Sequence, residues 1–380
     1  MSRTWTGGVR QKRRDRVKRV QEQLQTSTAD ALVLSPGTNM GYLTGFFEEP
    51  GERHLFLILS ADADPVFFIP DLYETQVREA TFVDDINCWS DDTNPVDRLA
   101  DVATEFGLAD SQVLVDDRMW ATFTQDIRTA APGVTLGLAS EVLAPVRRQK
   151  DGDELAAMRR AATAADETIK HVREMGSSVL GMTEAELAAV IERLLAEHGG
   201  TGVAFEPIVG SGPNGAKPHH RHEQRKIEPG DPVVLDFGTR VDGYPSDQTR
   251  TLVFGGDPPE QFQEVHRLVQ AALEAGVAAV EPGVSAQTVD RAARDVIESA
   301  GYGEAFVHRT GHGVGLDVHE EPFITEGNET QLKPGMVFSV EPAVYLPDAF
   351  GVRIEDLVVV TADGCERLNH TDRGWKMLSE

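Results

Sequence analysis

The chain has 380 residues, and its 36 Lys and Arg against 62 Asp and Glu give a formal net charge of −26 at pH 7. At about 100–200 residues per domain, this length predicts two domains. A balance this acidic is unfavourable for binding nucleic acid or an anionic membrane surface, so we expect neither as a partner. It is typical either of a protein that stays soluble at high salt or of an ordinary acidic enzyme, and composition does not choose between them.

Cys88 and Cys365 are the only cysteines of the sequence. Two cysteines are too few for a disulfide framework or a thiolate metal site, and they fit a reducing cytoplasm. No apolar run approaches the roughly 20 residues that cross a bilayer, and no signal peptide is recognised. We therefore expect a cytoplasmic protein. The basic stretch 12–19 is interpreted as a solvated helix face leading into Val20 and Leu24, in preference to a nucleic-acid arm.

Short apolar runs and helical stretches alternate between residues 29 and 145. The pattern predicts an α/β domain with strands at 31–34, 55–59 and 113–115 and a helix at 95–106. A polar segment follows, and after it comes a strongly periodic helix with apolar residues at Leu155, Met158, Ala162, Ala165, Ile169 and Val172. The domain boundary is therefore expected near residue 148, which gives domains 1–148 and 149–380.

The second domain contains a weak internal duplication. A capping box of Thr183 and Glu186 opens one predicted helix, and Ser285 opens another at an offset of 102 residues. Two Pro-Gly pairs precede apolar runs that end in acids 105 residues apart, and a second pair of acids follows at an offset of 108. This spacing predicts two α/β halves related by pseudo-symmetry. Each half contributes two carboxylates: Asp236 and Asp247, then Glu341 and Glu355.

These carboxylates are predicted to face each other in pairs. A turn at 241–242 puts Asp236 opposite Asp247, and a second turn puts Glu341 opposite Glu355. Directly opposed residues of a hairpin have Cβ atoms about 5 Å apart, where like charges destabilise the sheet unless a cation or protons lie between them. Four surface acids are the alternative, but both runs that lead into these acids are typical of core strands. We therefore predict bound metal.

The histidines are concentrated in two short segments. Six of the eleven are His219, His220, His222, His308, His312 and His319. The glycines around His312 let its imidazole approach a ligand closely. The glycine-rich segments 210–217 and 311–315 lack the strand-to-helix context or the residue order of a nucleotide loop, so no nucleotide site is predicted.

Taken together, the motifs resemble the pita-bread metallopeptidases that hydrolyse Xaa-Pro bonds, the prolidase and aminopeptidase P group. The resemblance covers nearly the whole chain and rests on the segments 235–238, 243–251, 308–319, 334–342 and 351–356. It implies an α/β (α+β) chain, with a creatinase-like N-terminal α/β domain followed by a pseudo-twofold pita-bread metallopeptidase domain. The metal ligands that it implies are Asp236, Asp247, His312, Glu341 and Glu355.

The resemblance also implies a role for each of these residues. Asp247 and Glu355 would bridge two ions, Asp236 would complete one, and His312 with Glu341 would complete the other. Glu341 would also shuttle a proton.

Three further residues have implied roles around the ions. His219 and His319 would contact the substrate, and Arg353 would orient the bridging carboxylates. Lys217 stands where an apolar residue is usual. His220, His222 and His308 have weaker claims, and His308 either lines the proline pocket or is a structural histidine.

The donor set of four carboxylates and one imidazole suits hard cations. We expect two Mn²⁺ ions, with Co²⁺, Fe²⁺ or Zn²⁺ as alternatives. Two ions about 3.5–4 Å apart can acidify a water and polarise the carbonyl that it attacks. The substrate would be a proline-containing peptide.

Among the reactions of this fold, an Xaa-Pro dipeptidase (prolidase) is favoured over an aminopeptidase P that acts on longer peptides. The chain has the size of compact prokaryotic prolidases, and Arg309, Lys217 or Arg221 could bind the proline carboxylate. A metal-dependent lyase and a non-catalytic binding module are less favoured, because all five ligands are present. The resemblance also implies a homodimer.

Overall fold

The structure is a computed structural model, and it describes residues 7–376. The chain divides into two units, Met1–Arg147 and Arg148–Glu380. Among the described residues, no helix is both long enough and apolar enough to span a membrane.

The N-terminal unit is built on one six-stranded mixed sheet. Its strands are β1 (Ala31–Leu34), β2 (Phe56–Ser60), β3 (Val66–Pro70), β4 (Asp85–Trp89), β5 (Gln112–Val115) and β6 (Thr135–Leu138). Its helices are α1 (Gly7–Thr26), α2 (Thr38–Thr44), α3 (Glu74–Ala80), α4 (Pro95–Glu105), α5 (Ala121–Ala130) and α6 (Ser140–Arg147). The strand order is β4-β3-β2-β1-β5-β6. The predicted strands at 31–34, 55–59 and 113–115 and the predicted helix at 95–106 are confirmed, with their ends shifted by at most one residue.

The basic stretch 12–19 lies in α1, but its arginines are less solvated than predicted. Arg13 is buried and donates to the backbone carbonyl of Thr44 at 3.0 Å. Arg16 donates to the carbonyl of Tyr42 at 3.2 Å, and its guanidinium stacks on the Tyr42 ring. An arginine satisfies several acceptors at once, so these side chains tie α1 to the following segments rather than facing water.

The second unit carries four long helices and two main sheets. The helices are α7 (Gly152–Met175), α8 (Glu184–Glu197), α9 (Phe262–Ala278) and α10 (Ala286–Ser299). The strands of its first half are β7 (Ile208–Ser211), β8 (Pro232–Phe237), β9 (Arg240–Val241), β10 (Tyr244–Pro245) and β11 (Gln248–Val253). Those of its second half are β12 (Gly311–Gly313), β13 (Glu320–Ile324), β14 (Val337–Val340), β15 (Ala343–Leu346), β16 (Phe350–Arg353), β17 (Asp356–Val360) and β18 (Cys365–Arg367).

The predicted duplication is present in this unit. Helices α8 and α10 start 102 residues apart and have 14 residues each. Strands β8 and β14 start 105 residues apart, and β11 and β17 start 108 apart. Each central strand pairs with its own partners in the orders β11-β8-β7 and β13-β12-β14-β17-β18. Apolar residues of α7 and α8 pack on the first sheet and those of α9 and α10 on the second, so each half has its own core.

The local signals that predicted the helices act as expected. Asp151 and Glu154 form a capping box at the start of α7, and Thr183 with Glu186 forms the predicted one at α8. These side chains satisfy backbone N–H groups that the first helical turn leaves without partners. The predicted apolar stripe of α7 is buried apart from Leu155, which is half-buried.

One predicted strand register is wrong and the other is right. In the first hairpin Asp236 pairs with Thr249, not with Asp247. The reason is that Asp242 and Gly243 both have positive φ, 50° and 88°, and form the two-residue turn, one residue later than predicted. Moving the turn by one residue moves every cross-strand partner by two.

The register of the second hairpin agrees with the prediction. Ala343 pairs with Arg353 on one side of the break, and Val340 pairs with Asp356 on the other. Both ladders share the register in which Glu341 faces Glu355.

Candidate metal centre

The five predicted ligands lie in or next to five strands of the second unit. Asp236 lies in β8 and His312 in β12, while Asp247, Glu341 and Glu355 stand at strand ends, next to β11, β14 and β17. At a strand end the backbone leaves the hydrogen-bonded ladder, so a side chain there can point toward a common centre. The internal duplication therefore brings two acids from each half to one place.

Three of these residues form a compact donor group. Asp247, His312 and Glu355 each offer a ligand atom, and these atoms lie within 4.8 Å of one another. His312 Nε2 lies 3.7 Å from Asp247 Oδ2 and 3.3 Å from Glu341 Oε1. All but Glu341 are buried, and the Glu341 side chain is only 15% exposed.

Two carboxylate oxygens of this centre are buried without a hydrogen-bond partner. They are Asp236 Oδ1 and Glu355 Oε1. Buried polar atoms are almost always paired, so two orphaned oxygens in one cluster need a partner of another kind. Divalent cations accept lone pairs from such oxygens, and the residues therefore fit a metal centre.

The electrostatics of the acids lead to the same conclusion. Burial raises the pKa of Asp247 well above its usual range, and the charges of Glu355 and Asp236 raise it further. Burial and the charge of Glu341 raise the pKa of Glu355 in the same way. Carboxylates this close resist ionising together unless positive charge lies between them. Burial also lowers the pKa of His312, which keeps its imidazole neutral, the form that binds metal.

Arg353, the predicted orienting arginine, is buried and contacts four groups around the centre. Its Nη2 donates to Asp236 Oδ2 at 2.6 Å. Its Nε donates to Thr249 Oγ1 at 3.2 Å, and that hydroxyl in turn donates to Glu355 Oε2 at 2.7 Å. One guanidinium thus fixes a ligand from β8 directly and a second ligand through Thr249.

Arg353 also connects the centre to His308. Its Nη1 donates to Tyr345 Oη at 2.6 Å. The Tyr345 hydroxyl donates to His308 Nε2 at 3.0 Å, because His308 Nδ1 faces a carbonyl, which can only accept. His308 Nδ1 then carries the ring proton and donates to the Arg309 carbonyl at 2.7 Å. Burial lowers the pKa of His308 to about 4, which agrees with a neutral ring. These contacts hold His308 in place on both sides.

The two predicted substrate histidines are both exposed. The His319 ring centroid is 3.9 Å from that of His312, and the His319 side chain is exposed. His219 is also exposed, and its charge contributes to the low pKa of His308. Both rings are therefore accessible from solvent, and His319 lies beside the buried predicted ligand His312.

The three candidate cations differ in their surroundings. The Arg309 guanidinium lies 4.3 Å from the centroid of the Phe323 ring, and Phe323 is the cross-strand partner of His312. Lys217 is exposed and donates to Asn214 Oδ1 at 2.9 Å, and Arg221 is exposed. The charge of Arg309 also lowers the pKa of the predicted ligand Glu341.

Sequence reasoning missed Thr249 and Tyr345. Thr249 belongs to the recognised segment 243–251, so its position two residues after Asp247 was an available signal. Tyr345 carries no such signal, because a tyrosine in a strand is most often a packing residue.

A buried group of carboxylates and one imidazole, shared between two duplicated α/β halves, defines a metal-dependent hydrolase of the peptidase type. The chain belongs to Metallopeptidase family M24, which matches residues 156–362, and the Creatinase/Prolidase N-terminal domain matches residues 16–149.

Relatives of known name extend over almost the whole chain. The probable dipeptidase PepE of Mycobacterium tuberculosis is 41% identical over 352 residues, which is 90% of this chain and 92% of the relative. The Xaa-Pro dipeptidase of Lactobacillus helveticus is 34% identical over 95% of this chain and 98% of its own. The crystal structure of a recombinant prolidase from Thermococcus sibiricus is 40% identical, covers 96% of this chain and 99% of its own, and superposes with a TM-score of 0.90.

Proposed function

We propose that this chain is an Xaa-Pro dipeptidase that works with two divalent cations. The observation that carries the proposal is the buried donor group around Asp247, His312 and Glu355, with orphaned oxygens on Asp236 and Glu355. The dipeptidase and prolidase relatives support the choice of substrate.

The proposed ligands divide between the two ions. Asp247 and Glu355 would contact both ions, Asp236 would complete one, and His312 with Glu341 would complete the other. The oxygen-rich donor set favours Mn²⁺, with Co²⁺, Fe²⁺ or Zn²⁺ as alternatives. When bound, such ions polarise the scissile carbonyl and lower the pKa of a water nucleophile.

The protein side chains supply positioning and proton transfer. Glu341 is the least buried acid of the centre, and burial raises its pKa to about 7, so its carboxylate suits the transfer of a proton from water to the leaving nitrogen. The exposed rings of His219 and His319 would hydrogen-bond the substrate carbonyl as it gains negative charge. Arg353 holds Asp236 through its 2.6 Å hydrogen bond.

We propose Arg309 as the residue that selects dipeptides. The free carboxylate of an Xaa-Pro substrate needs a cation on the leaving-group side. A guanidinium binds a carboxylate by two parallel hydrogen bonds. Arg309 is half-buried against Phe323, and its charge acts on Glu341. In an aminopeptidase P that side would be open to a continuing chain.

The test compares the specificity constants of an Xaa-Pro dipeptide and the matching Xaa-Pro-Yaa tripeptide after reconstitution with Mn²⁺. We expect a clear preference for the dipeptide, and we expect R309A to lose at least about tenfold on the dipeptide only, as for a lost charge-assisted contact. A clear preference for the tripeptide would favour the aminopeptidase. If neither the dipeptide nor the tripeptide is hydrolysed, the peptidase proposal is overturned.

We further propose a cytoplasmic homodimer. Its two free cysteines suit a reducing compartment. Phe47, Leu72, Trp120 and Leu138 of the N-terminal unit are exposed, and large exposed apolar side chains commonly contact a partner. Light scattering should give twice the monomer mass.

Activity retained over a wide salt range would support the high-salt explanation of the net charge of −26.

A further inference from the structure

A second buried carboxylate lies outside the proposed ligand set. Glu184 is the first residue of α8, and its side chain is fully buried. Its carboxylate accepts from the Ser211 backbone N–H at 2.8 Å and the Ser211 hydroxyl at 2.7 Å. It also accepts from Asn214 Nδ2 at 3.1 Å, His220 Nε2 at 2.8 Å and the Glu223 backbone N–H at 3.1 Å. Segment 211–223 therefore surrounds one carboxylate.

These hydrogen bonds compensate the cost of burying the Glu184 carboxylate. A buried carboxylate is strongly unfavourable unless several donors compensate it, and here five donors and the positive end of α8 do so. Burial alone would raise the pKa of Glu184, but the hydrogen bonds from Ser211 and His220 outweigh it and keep the group ionised. Because the carboxylate is ionised, it only accepts, and His220 Nε2 carries the ring proton. Glu184 thus fixes both the position and the tautomer of His220.

The same segment is attached at a second point. The carbonyl of Pro218 accepts from Arg353 Nη1 at 3.2 Å. His219 lies between Pro218 and His220, so the residues on both of its sides are held by buried charges. The ring of His219 itself is exposed. A ring on a backbone anchored on both sides has a restricted set of directions.

We propose that Glu184 and His220 are positioning residues that aim the His219 ring at the substrate. The inference rests on the proposed function, in which His219 contacts the scissile peptide. It assigns a role to His220, which the sequence left without one. Helix α8, which corresponds to α10 in the duplication, would then position a residue of the proposed active site in addition to packing in the core.

A purely structural role would give a different result in a double-mutant cycle. If Glu184 acts through His219, its removal matters only while the His219 side chain is present. If it merely stabilises the fold, its effect on turnover is independent of His219. The cycle therefore compares E184Q, H219A and the double variant on an Xaa-Pro dipeptide with full Mn²⁺.

Glu186 provides a matched control. It lies two residues further along the same helical turn and also has a carboxylate that caps α8, but its capping contact is the backbone N–H of Thr183. E186Q should therefore lower stability slightly and leave kcat unchanged.

We expect E184Q to lower kcat by about tenfold to a hundredfold, the size of effect that a misplaced contact gives. Bound metal should remain at two ions per chain, because Glu184 touches none of the proposed ligands. In the H219A background, E184Q should change kcat by less than about twofold. If the two effects instead multiply, or if E184Q leaves kcat unchanged, the inference is wrong. If H219A has no effect on hydrolysis, the proposed role of His219 fails instead, and the two failures are thus distinguishable.

A second pair of variants covers the case in which E184Q does not fold. H220F removes one of the five donors and leaves Glu184 its other partners, whereas H220Q keeps an N–H donor at a similar position. H220F should lower kcat in the manner of E184Q, and H220Q should restore at least part of the loss. Equal loss in both variants, or none in either, would overturn the proposal.

Discussion

Arg353 Nη2 and Asp236 Oδ2 are joined by a 2.6 Å hydrogen bond that crosses from one half of the catalytic unit to the other. Arg353 ends β16 in the second half, and Asp236 lies in β8 of the first. Both side chains are buried. A charge pair of this kind fixes the direction of one carboxylate, whose other oxygen, Asp236 Oδ1, is buried without a hydrogen-bond partner.

The first prediction concerns Arg353. R353K keeps the charge but loses the fork that reaches Asp236, Thr249 and Tyr345 together. Metal affinity should fall about tenfold to a hundredfold, the usual effect of losing a residue that orients a ligand. Isothermal titration of the metal-free protein with Mn²⁺ measures it. Y345F removes one of the contacts of Arg353 and should weaken binding less, so an equal or larger loss in Y345F would contradict the assignment.

The second prediction separates a metal ligand from a substrate contact. D247N should abolish hydrolysis and lower the bound metal, because a proposed bridging ligand loses its charge. Its fold should survive, since the pKa of Asp247 is already raised by burial and by neighbouring acids, and a neutral side chain relieves that repulsion. Metal analysis and the rise in melting temperature on adding Mn²⁺ are the measurements.

H319A is the counterpart of D247N. The His319 ring lies 3.9 Å from that of His312, but we assign it to the substrate. Turnover should fall about a hundredfold, as for the loss of one transition-state contact, while metal content stays at two ions. Loss of metal in H319A, or two bound ions with normal turnover in D247N, would reverse the assignments.

Periodic and capping signals were enough to predict much of this fold from the sequence. Helix α8 begins where its capping box places it, and the offset between the halves reappears in α10. These signals are local, since a helix terminus is set by residues three or four positions apart. The pseudo-symmetry repeats the four acids of the site, whereas His312 was implied by the family resemblance.

Strand register and the contacts around the ligands were harder to predict. The first hairpin turns at Asp242 and Gly243, and a misplaced turn of one residue gave Asp236 the wrong partner. Because the shift in pairing is two residues, it preserves the face of the strand, and the ligand prediction was unaffected. Contacts such as that of Tyr345 with Arg353 depend on how separate strands come together, and no local pattern encodes them.

The third prediction is a pH dependence in the N-terminal unit. Asp116 follows β5 and accepts from the Ser35 backbone N–H at 2.6 Å and from Asn39 Nδ2 at 2.7 Å. Burial nevertheless raises the pKa of Asp116 to about 6. An acid with a pKa near 3.9 when unfolded and about 6 when folded binds more protons in the folded state between these values. The folded unit should therefore lose stability as the pH rises from about 4 to 6.

D116N removes this ionisation and is the variant that tests it. Relative to D116N, the wild-type protein should lose about 1–3 kcal/mol of local opening free energy between pH 4 and pH 6.5, according to the size of the pKa shift. Hydrogen exchange of the amides in β1 and β5, corrected for the intrinsic rate, reports this quantity. A difference between wild type and D116N that does not change with pH would show that Asp116 ionises normally.

The last prediction concerns Asp356, which is fully buried beside the proposed ligand Glu355. Its carboxylate accepts from Arg250 at 2.8 Å and from Arg367 and Arg373 at 2.7 Å. Burial alone would raise the pKa of Asp356, but the three guanidinium groups lower it overall, so it is ionised in the folded protein.

D356N leaves Arg250 as a buried charge with no carboxylate, and breaking a buried pair in this way lowers the free energy of unfolding by about 3–5 kcal/mol. Arg250 also donates to the Glu355 carbonyl at 2.6 Å, so the variant should bind Mn²⁺ more weakly as well. Urea unfolding and metal titration measure the two effects. R373Q is the control, because Arg373 is partly exposed and should contribute at most about 1 kcal/mol. If D356N were destabilised no more than R373Q, the buried pair of Arg250 and Asp356 would not stabilise the fold.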